Sequence, residues 1–383
     1  MRVRVLEGLA GVSADAWDAL TGPDDPFVEH AFLATLEESG SVSAETGWLP
    51  VHLTAWEDER LVGALPLYLK DHSFGEYIFD WGWADAAHRA GVDYYPKLVS
   101  MVPVTPATGR RFLVAEGVDR DEVIGTLAAG LRELADATDA SSIHLLFLTD
   151  RERDAVLRAG PFMPRLSMQF HWHNEGYADF DDFLARLRAP DRKKVRRERR
   201  AVADAGVHVR VATGTELGPA DWAALRRFYR GTCARKGSYP YLTDRFFELG
   251  AQRLRRRAVA VLAEREGRLI AGTLNFEKGQ HLYGRYWGAA EEVPMLHFEL
   301  CYYTLIERAI ARGMSRFEAG AQGRHKLKRG MLPAAIHSAH WVRDERLRQA
   351  VAEFLPREAF AVQRQMAELR VASPFKRWRN AGG

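Results

Sequence analysis

Two similar stretches of sequence decide the fold of this chain. The first is Arg60-Leu61-Val62-Gly63-Ala64-Leu65-Pro66-Leu67, and the second is Arg268-Leu269-Ile270-Ala271-Gly272-Thr273-Leu274-Asn275-Phe276. Each stretch follows an apolar run and a polar turn, which is typical of the outgoing strand of a β-hairpin. From Gly63 and Gly272 onward, the two stretches are offset by 209 residues. The sequence therefore predicts one hairpin used twice.

The likeness continues after the two hairpins. Gly75-Glu76-Tyr77 corresponds to Gly284-Arg285-Tyr286 at the same offset, and Tyr94-Tyr95 falls close to Tyr302-Tyr303. An internal duplication explains this pattern, although any two unrelated hairpins also share some likeness. We expect a first module at 1–170, a second module at 171–343 and a helical tail at 344–383.

Length and composition indicate a globular protein. The chain has 383 residues, of which 47% are hydrophobic and 27% charged, and its net charge is +3. This balance excludes a strongly basic nucleic-acid coat protein but leaves room for a local basic patch. Cys233 and Cys301 are too few for a disulfide scaffold or a four-thiolate zinc site, so we expect a reducing cytoplasm. We find no signal peptide and no apolar run of membrane-spanning length.

Helices and strands alternate along the rest of the sequence. Strands are predicted at 2–6, 50–56, 61–70, 142–148, 207–212, 258–264, 268–276, 280–287 and 315–319. Helices are predicted at 26–40, 121–138, 191–205, 221–236, 244–255 and 297–312, with a mostly helical tail at 344–370 that breaks at Pro356. The fold class is therefore α/β (α+β), with mostly antiparallel sheets flanked by helices.

Longer motifs carry a resemblance to a known family. They are Pro66-Leu67-Tyr68-Leu69-Lys70-Asp71-His72-Ser73-Phe74-Gly75-Glu76-Tyr77-Ile78-Phe79-Asp80, Tyr94-Tyr95-Pro96-Lys97-Leu98, Tyr283-Gly284-Arg285-Tyr286-Trp287-Gly288, and Gly320-Ala321-Gln322-Gly323-Arg324-His325-Lys326-Leu327-Lys328-Arg329-Gly330. Together they resemble the FemAB-like peptidoglycan biosynthesis/recognition proteins of the GNAT acyltransferase superfamily. The resemblance covers nearly the whole chain and implies two tandem GNAT-like modules.

The resemblance also implies an activity. Fem-type proteins move an amino acid from aminoacyl-tRNA onto an amine of a peptidoglycan precursor, whereas other GNAT proteins move acyl groups from coenzyme A. The acceptor is expected to bind the first module, where the matching motif residues are Lys70, His72, Glu76, Asp80, Trp81, Tyr94, Tyr95 and Lys97. These side chains could equally belong to the rim of the core.

Acyl transfer to an amine needs a base and a group that stabilises the oxyanion. In a GNAT-like module the donor carbonyl lies where the third and fourth strands separate. The candidates there are Tyr283 and Arg285 on the third strand and His297 and Glu299 at the start of the next helix. The alternative is structural, because Glu299 also complements the helix dipole and His297 also caps the helix.

Two basic segments are candidate anion sites. In the loop 320–330, the candidates for donor or anion binding are Gln322, Arg324, His325, Lys326, Lys328 and Arg329, with glycines on both sides. Residues 186–200 carry nine basic residues in fifteen, and the candidates for polyanion contact are Arg192, Lys193, Arg196, Arg197 and Arg200. Such charge suits a tRNA arm, an anionic lipid or a phosphorylated precursor, although a solvated helix face is the usual outcome.

The choice of donor depends on a missing motif. Coenzyme A is normally held by a loop with the pattern Arg/Gln-x-x-Gly-x-Gly/Ala before this helix, whereas residues 288–296 lack that glycine spacing and contain Glu291 and Glu292. We therefore expect aminoacyl-tRNA as co-substrate, with acetyl-CoA as the alternative and no prosthetic group or metal. A non-catalytic module that binds a precursor or a nucleic acid is the third possibility.

Overall fold

The computed structural model describes residues 1–320 and 323–376. The strands are β1 (Arg2–Leu6), β2 (Trp48–Pro50), β3 (His52–Glu57), β4 (Arg60–Leu65), β5 (Tyr68–Lys70), β6 (Lys97–Ser100), β7 (Leu113–Val114), β8 (Ser142–Leu148), β9 (Met163–His173), β10 (His208–Thr213), β11 (Ala258–Arg265), β12 (Arg268–Lys278), β13 (His281–Ala289), β14 (Arg316–Glu318) and β15 (Leu332–Val342). The predicted mixture of helices and strands is confirmed.

The helices are α1 (Ala14–Asp18), α2 (His30–Glu38), α3 (Trp81–Arg89), α4 (Arg120–Ala137), α5 (Asp150–Ala159), α6 (Phe180–Arg186), α7 (Ala189–Asp204), α8 (Pro219–Arg235), α9 (Asp244–Arg253), α10 (Leu296–Phe298), α11 (Thr304–Ala311) and α12 (Glu345–Val371). A π-helix at Glu299–Tyr303 joins α10 to α11. These three segments together are called the composite helix below. None of the helices in the described part of the chain is long and apolar enough to cross a membrane.

The chain divides into two compact units. Unit 1 comprises residues 1–168, 241–254 and 335–363, and unit 2 comprises residues 169–240, 255–334 and 364–383. These units differ from the predicted boundaries, because α9 and most of β15 belong to unit 1 rather than to the second module. The predicted separate tail is likewise divided between the two units.

Unit 1 contains two sheets. One has the strand order β1-β3-β4-β7 and is antiparallel throughout. The other has the order β2-β5-β6-β8-β15, in which only the β6–β8 pair is parallel. Helix α4 packs on β3 and β4, and its apolar face, which includes Val123 and Leu127, is buried there.

Unit 2 contains one mixed sheet. Its order is β10-β11-β12-β13-β14-β9, and the β13–β14 pair is its only parallel pair within the described residues. Helix α8 packs on β12 and β13. The approach is so close that a Cβ on Gly288 would overlap the backbone of Phe228.

The two hairpins share their register as well as their sequence. In β3–β4, Ala55 pairs with Gly63 and the register shifts after Ala55; in β11–β12, Ala263 pairs with Ala271 and the register shifts after Ala263. The predicted offset of 209 is wrong by one residue, because the paired residues and the bulges coincide at 208. Gly63 therefore corresponds to Ala271, and the common position of the bulge supports a duplication.

The predicted break at Pro356 is also wrong, because α12 is continuous from Glu345 to Val371 with Pro356 inside it. A proline removes one hydrogen bond from a helix interior. The turns before Pro356 are held by burial of Leu347, Val351 and Leu355 in an apolar cluster with Trp83 and Tyr94. This packing offsets the missing hydrogen bond.

Candidate functional site

Strands β13 and β14 of unit 2 separate soon after they pair. Only three residue pairs join them, from His281–Arg316 to Tyr283–Glu318. Strand β13 then continues to Ala289, whereas β14 ends at Glu318. The edge of β13 beyond Tyr283 therefore faces a gap in the sheet, at the position where the sequence predicts an acyl-transfer cleft.

A bulge marks the point of separation. The register between β12 and β13 passes from Leu274–Tyr286 to Asn275–Gly284, so that Arg285 is the additional residue of β13. A β-bulge bends its strand and redirects a side chain. Next to it, a Cβ on Gly284 would lie 3.2 Å from the Phe317 ring on the neighbouring strand. The predicted Arg285 thus lies at the mouth of the gap, while the Tyr283 side chain is buried with its hydroxyl 3.3 Å from His281 Nδ1.

The composite helix begins beside this gap with a group of aromatic rings. The His297 ring lies 5.2 Å from Trp287, 5.5 Å from Phe298 and 5.5 Å from Tyr302 between ring centroids. Burial, and after it the nearby His325, lowers the pKa of His297 to about 4. The imidazole is therefore neutral at neutral pH and has a lone pair with which to accept a proton or hydrogen bond.

The other predicted acid–base residue, Glu299, is held in an ion pair. Its carboxylate accepts hydrogen bonds from Arg199 Nε at 3.1 and 3.2 Å and from the Thr304 hydroxyl at 3.1 Å. Burial raises the pKa of Glu299, and Arg199 opposes this shift. The Arg199–Glu299 ion pair therefore joins α7 to the composite helix.

The basic loop 323–330 is folded as a 3₁₀ segment at Arg324–Arg329. Its cations divide into two kinds: Lys326 and Arg329 are each 2% exposed, whereas Arg324 and Lys328 point to solvent. Lys326 Nζ donates to the Gly320 carbonyl at 2.7 Å. His325, which is exposed, lies 3.0 Å from the Tyr302 hydroxyl through Nε2. The predicted Gln322 lies outside the described residues.

The predicted cation Arg285 lies close enough to Lys326 to affect its protonation. Burial lowers the pKa of Lys326 to about 8, the Cys301 thiol opposes this shift, and the charge of Arg285 adds to it. An anion placed beside Lys326 and Arg285 would favour the charged form of Lys326. Lys326 on the loop and Arg285 on the bulge therefore form a candidate anion site at the gap.

Helix α7 has a buried face and a basic outer face. Its buried residues are Val195, Glu198 and Val202. On the outer face, Lys193, Arg197 and Arg200 are exposed, and in the described part of the chain none of them has an ion pair or side-chain hydrogen bond. Two further predicted contacts are occupied within unit 2, since Arg196 pairs with Asp181 at 3.1 Å and Arg192 donates to the Leu187 carbonyl at 3.3 Å.

A cleft of about 630 Å³ opens beside the start of the composite helix. Its walls include the end of α8, with Arg235 and Lys236, and residues 289–298. Glu291, one of the two acids that argued against a phosphate here, is ion-paired with Arg265. Met295, just before the helix, has a positive φ of 67°.

Unit 1 contains a second group of predicted site residues, which we call the ionic cluster: Lys70, Glu76, Asp80 and Lys97, each at most 2% exposed. Lys97 Nζ donates to Ser73 Oγ at 2.7 Å, to Glu76 at 3.0 Å and to Asp80. Lys70 Nζ lies 3.6 Å from Glu76 and 3.4 Å from the centroid of the Trp48 ring. The Tyr94 hydroxyl donates to Asp80 at 2.7 Å.

The charges of this cluster balance one another. Burial alone would lower the pKa of Lys97, but Glu76 and Asp80 outweigh it and the net shift is upward. Burial would raise the pKa of Asp80, but Lys97 and His144 outweigh it and the net shift is downward. Lys97 and Asp80 are therefore a charged pair at neutral pH, and this pair is the electrostatic centre of the cluster.

The remaining predicted acceptor residues lie nearer the surface of unit 1. Trp81 is exposed and its ring is 5.0 Å from that of Phe74, which is also exposed. His72 and Tyr95 are partly buried; His72 Nε2 lies 2.9 Å from the Thr46 carbonyl and the Tyr95 hydroxyl 2.8 Å from Ser73 Oγ. The predicted acceptor set therefore consists of a buried ionic part and an accessible aromatic part.

Sequence reasoning missed two features. In unit 1, His144 and His340 are both buried and hydrogen-bond through their Nδ1 atoms at 2.7 Å. The signal was present in two triplets of the form Ser-x-His, since Ser142 and Ser338 contact the Nε2 atoms of these rings at 2.8 Å. In unit 2, Glu198 lies within the basic run 186–200, but it is buried and bonded to Arg329 at 2.8 Å.

Comparison with known proteins identifies the family. The model of the FemAB-like family, described as peptidoglycan biosynthesis/recognition, matches residues 8–377. No curated protein matches the sequence. The solved structure of FemX is 14% identical, with a TM-score of 0.54, and the match covers 92% of this chain and 100% of that chain.

Two further solved structures have a similar fold. A conserved protein of unknown function from Bacteroides thetaiotaomicron is 12% identical, with a TM-score of 0.55 over 89% of this chain and 100% of that chain. L-PGS from Bacillus licheniformis is 11% identical, with a TM-score of 0.51 over 88% of this chain and 98% of that chain. The predicted fold class is thereby confirmed. From the match over residues 8–377, we conclude that this chain is an acyltransferase of the FemAB-like peptidoglycan biosynthesis/recognition family.

Proposed function

We propose that the chain is an aminoacyltransferase that moves an amino acid from aminoacyl-tRNA onto the amine of a peptidoglycan precursor or of a small molecule. The observation that carries the proposal is the separation of β13 from β14 beside a pair of cations, Arg285 and Lys326. An acyl group in this gap would direct its carbonyl oxygen toward positive charge. Preorganised charge at a developing oxyanion is commonly the largest contribution to catalysis of acyl transfer.

The reaction forms one bond and breaks one bond. The nitrogen of the acceptor amine attacks the carbonyl carbon of the aminoacyl ester, a C–N bond forms, and the C–O bond to the tRNA ribose breaks. The amine loses a proton and the leaving ribose oxygen gains one. In our proposal neutral His297, whose pKa is lowered to about 4, takes part in this proton exchange at the start of the composite helix. Lys326 and Arg285 stabilise the negative oxygen of the tetrahedral intermediate.

The charge on α7 supports an RNA donor. Lys193, Arg197 and Arg200 present a row of positive charge that no acidic residue in the described part of the chain neutralises. Phosphate groups attract such a row because binding releases condensed counterions. Coenzyme A, in contrast, is usually held by a glycine-rich turn, and residues 288–296 have no such spacing.

We assign the acceptor to unit 1. Trp81, His72 and Tyr95 are the accessible members of the predicted set and would contact the precursor. The ionic cluster would then hold Tyr95 in place, because Ser73 links Lys97 to Tyr95 through two hydrogen bonds. An amide-forming role for this surface requires no metal.

A transfer assay tests the proposal. The purified chain is incubated with a mixture of charged tRNAs and amine acceptors, and amide formation is followed with and without prior ribonuclease treatment. We expect product that requires intact RNA. Product formed from acetyl-CoA alone, or no product from any donor, would contradict the aminoacyl-tRNA proposal.

One observation favours an acyl-CoA donor as the second candidate. The cleft of about 630 Å³ beside residues 289–298 includes Arg235 and Lys236, which could contact the phosphates of coenzyme A. Calorimetry with acetyl-CoA separates the candidates, because tight binding supports this alternative. The absence of turnover with every donor would instead support a binding module without catalytic activity.

A further inference from the structure

Helix α7 turns two adjacent charged residues inward, toward the reaction site. Glu198 is 3% exposed and accepts hydrogen bonds from Arg329 at 2.8 Å and from the Tyr303 hydroxyl. Arg199 donates to Glu299 at 3.1 Å and to Glu307 at 2.8 Å. The inner face of α7 thus holds both the basic loop and the π-helix.

Arg329 connects this contact to the aromatic group around His297. Its guanidinium carbon lies 3.4 Å from the centroid of the Phe298 ring, and its Nη1 donates to the His325 carbonyl at 2.9 Å. Phe298 and His325 are in turn neighbours, with ring centroids 5.6 Å apart. One guanidinium therefore fixes the loop backbone and the first turn of the composite helix together.

The carboxylate of Glu198 makes this arrangement possible. A guanidinium that is 2% exposed needs a partner for its charge, because an unpaired buried charge is strongly unfavourable. Lys194 on the same helix also lies 3.9 Å from Glu198, but it is partly exposed. Arg329 is therefore the buried cation whose charge Glu198 neutralises. Without Glu198, Arg329 would turn toward solvent and release both the loop and Phe298.

We propose that Glu198 is the positioning residue of the transfer site: through Arg329 it holds the loop 323–330 and Phe298 where the donor and His297 meet. This inference rests on the proposed function for its catalytic part, but the order of the loop can be measured independently. It gives α7 two roles on opposite faces. The outer cations bind the donor, and the inner carboxylate orders the site that uses it.

The test compares Glu198→Gln with Glu307→Gln. Both changes remove a carboxylate that accepts from an arginine in unit 2, but Glu307 is half-exposed and does not contact the loop. We expect Glu198→Gln to accelerate amide hydrogen exchange across 323–330 and to lower kcat by about 10- to 100-fold, as small misplacements of reacting groups do. The KM for charged tRNA should stay unchanged, because the outer face is intact. Glu307→Gln should change neither quantity.

A second variant keeps the test informative if Glu198→Gln fails to fold. Arg329→Lys retains the charge next to Glu198 but removes the planar group that lies over Phe298, so it should change exchange and kcat in the same direction. Combining it with Glu198→Gln should add little, because both act through one contact. Unchanged exchange in the loop, or equal effects of Glu198→Gln and Glu307→Gln, would overturn the inference. A wild-type chain without transferase activity would instead refute the proposed function. The amide hydrogen exchange of the loop 323–330 would then still decide whether Glu198 orders the loop.

Discussion

Each unit buries a group of charged residues, but the two groups are built differently. In unit 1 the ionic cluster contains two lysines and two carboxylates, which pair with one another at 3.6 Å or less. In unit 2 the residues around the gap are mostly cations and neutral rings, and Lys326 has a backbone carbonyl rather than a carboxylate as its partner. Unit 1 thus pairs both of its buried lysines with carboxylates, whereas the partner of Lys326 in unit 2 is a backbone carbonyl. In our proposal the charge of Lys326 serves a ligand.

Replacing Lys97 should have the largest effect, because it breaks the balance in unit 1. Lys97→Met leaves Asp80 buried without its lysine and Glu76 with only Lys70 at 3.6 Å, and removing one partner of a buried pair costs about 3–5 kcal/mol. Arg89→Met is the control, since it removes an ion pair with Asp85 that is more than half exposed, for which about 0–1 kcal/mol is expected. Chemical denaturation measures both free energies of unfolding. Equal losses would show that the ionic cluster does not stabilise unit 1.

The matched hairpins give a second way to compare the units. A Cβ on Gly63 would overlap Val123 of α4, so Gly63→Ala should cost about 1–3 kcal/mol through overpacking. The corresponding position in unit 2 already holds Ala271, and Ala271→Gly should cost about 0.5–1 kcal/mol through chain entropy. The free energies of unfolding of the two variants test whether the loss is larger for Gly63→Ala than for Ala271→Gly. A neutral Gly63→Ala would mean that α4 does not constrain the first hairpin as described.

The pH dependence of Lys326 tests whether unit 2 keeps its charge for function. Burial lowers the pKa of Lys326 to about 8, so the ammonium loses its proton as the pH rises through that value. If the charge stabilises the oxyanion, kcat/KM for transfer should fall about tenfold for each pH unit above the pKa. Lys326→Arg should remove this decline, because a guanidinium stays charged. Lys328→Arg, on the exposed side of the loop, is the control and should leave the profile unchanged.

The same residue should affect stability in the opposite direction. The unfolded chain binds the Lys326 proton more tightly than the folded chain, so the contribution of this group to stability rises between the folded pKa of about 8 and the ordinary lysine value. Wild-type and Lys326→Arg free energies of unfolding measured across this window should therefore diverge. Parallel curves would show that Lys326 is not held in the environment described.

Local sequence patterns predicted the second hairpin and the basic helix well. The β11–β12 hairpin and α7 lie within two residues of their predicted bounds, because turns, alternation and charge are local signals. The predicted strand 61–70 is wrong in extent, because it is divided into β4, which ends at Leu65, and β5 at Tyr68–Lys70 in another sheet. Three features were not predicted, since each depends on packing with distant residues. They are the π-helix at Glu299–Tyr303, the offset of 208 rather than 209 between the hairpins, and the continuity of α12 through Pro356. The assignment of α9 to unit 1 likewise depends on packing with residues that are distant in sequence.

The site was predictable where it is contiguous in sequence. Residues 70–97 and 323–329 were identified as groups, and the structure brings Lys70, Glu76, Asp80 and Lys97 together in unit 1. The partner of Arg329 could not be found in this way, because Glu198 is 131 residues away and is surrounded by basic residues. Burial of one carboxylate within a basic run is visible only in three dimensions.

The central claim is that the outer face of α7 binds the phosphates of a polyanionic donor. It is tested most directly by the salt dependence of tRNA affinity for the wild type and for the triple variant Lys193→Ala, Arg197→Ala and Arg200→Ala. We expect the slope of log affinity against log salt to become shallower by roughly three, about one for each phosphate that the variant no longer neutralises. Equal slopes for the two proteins would contradict the claim.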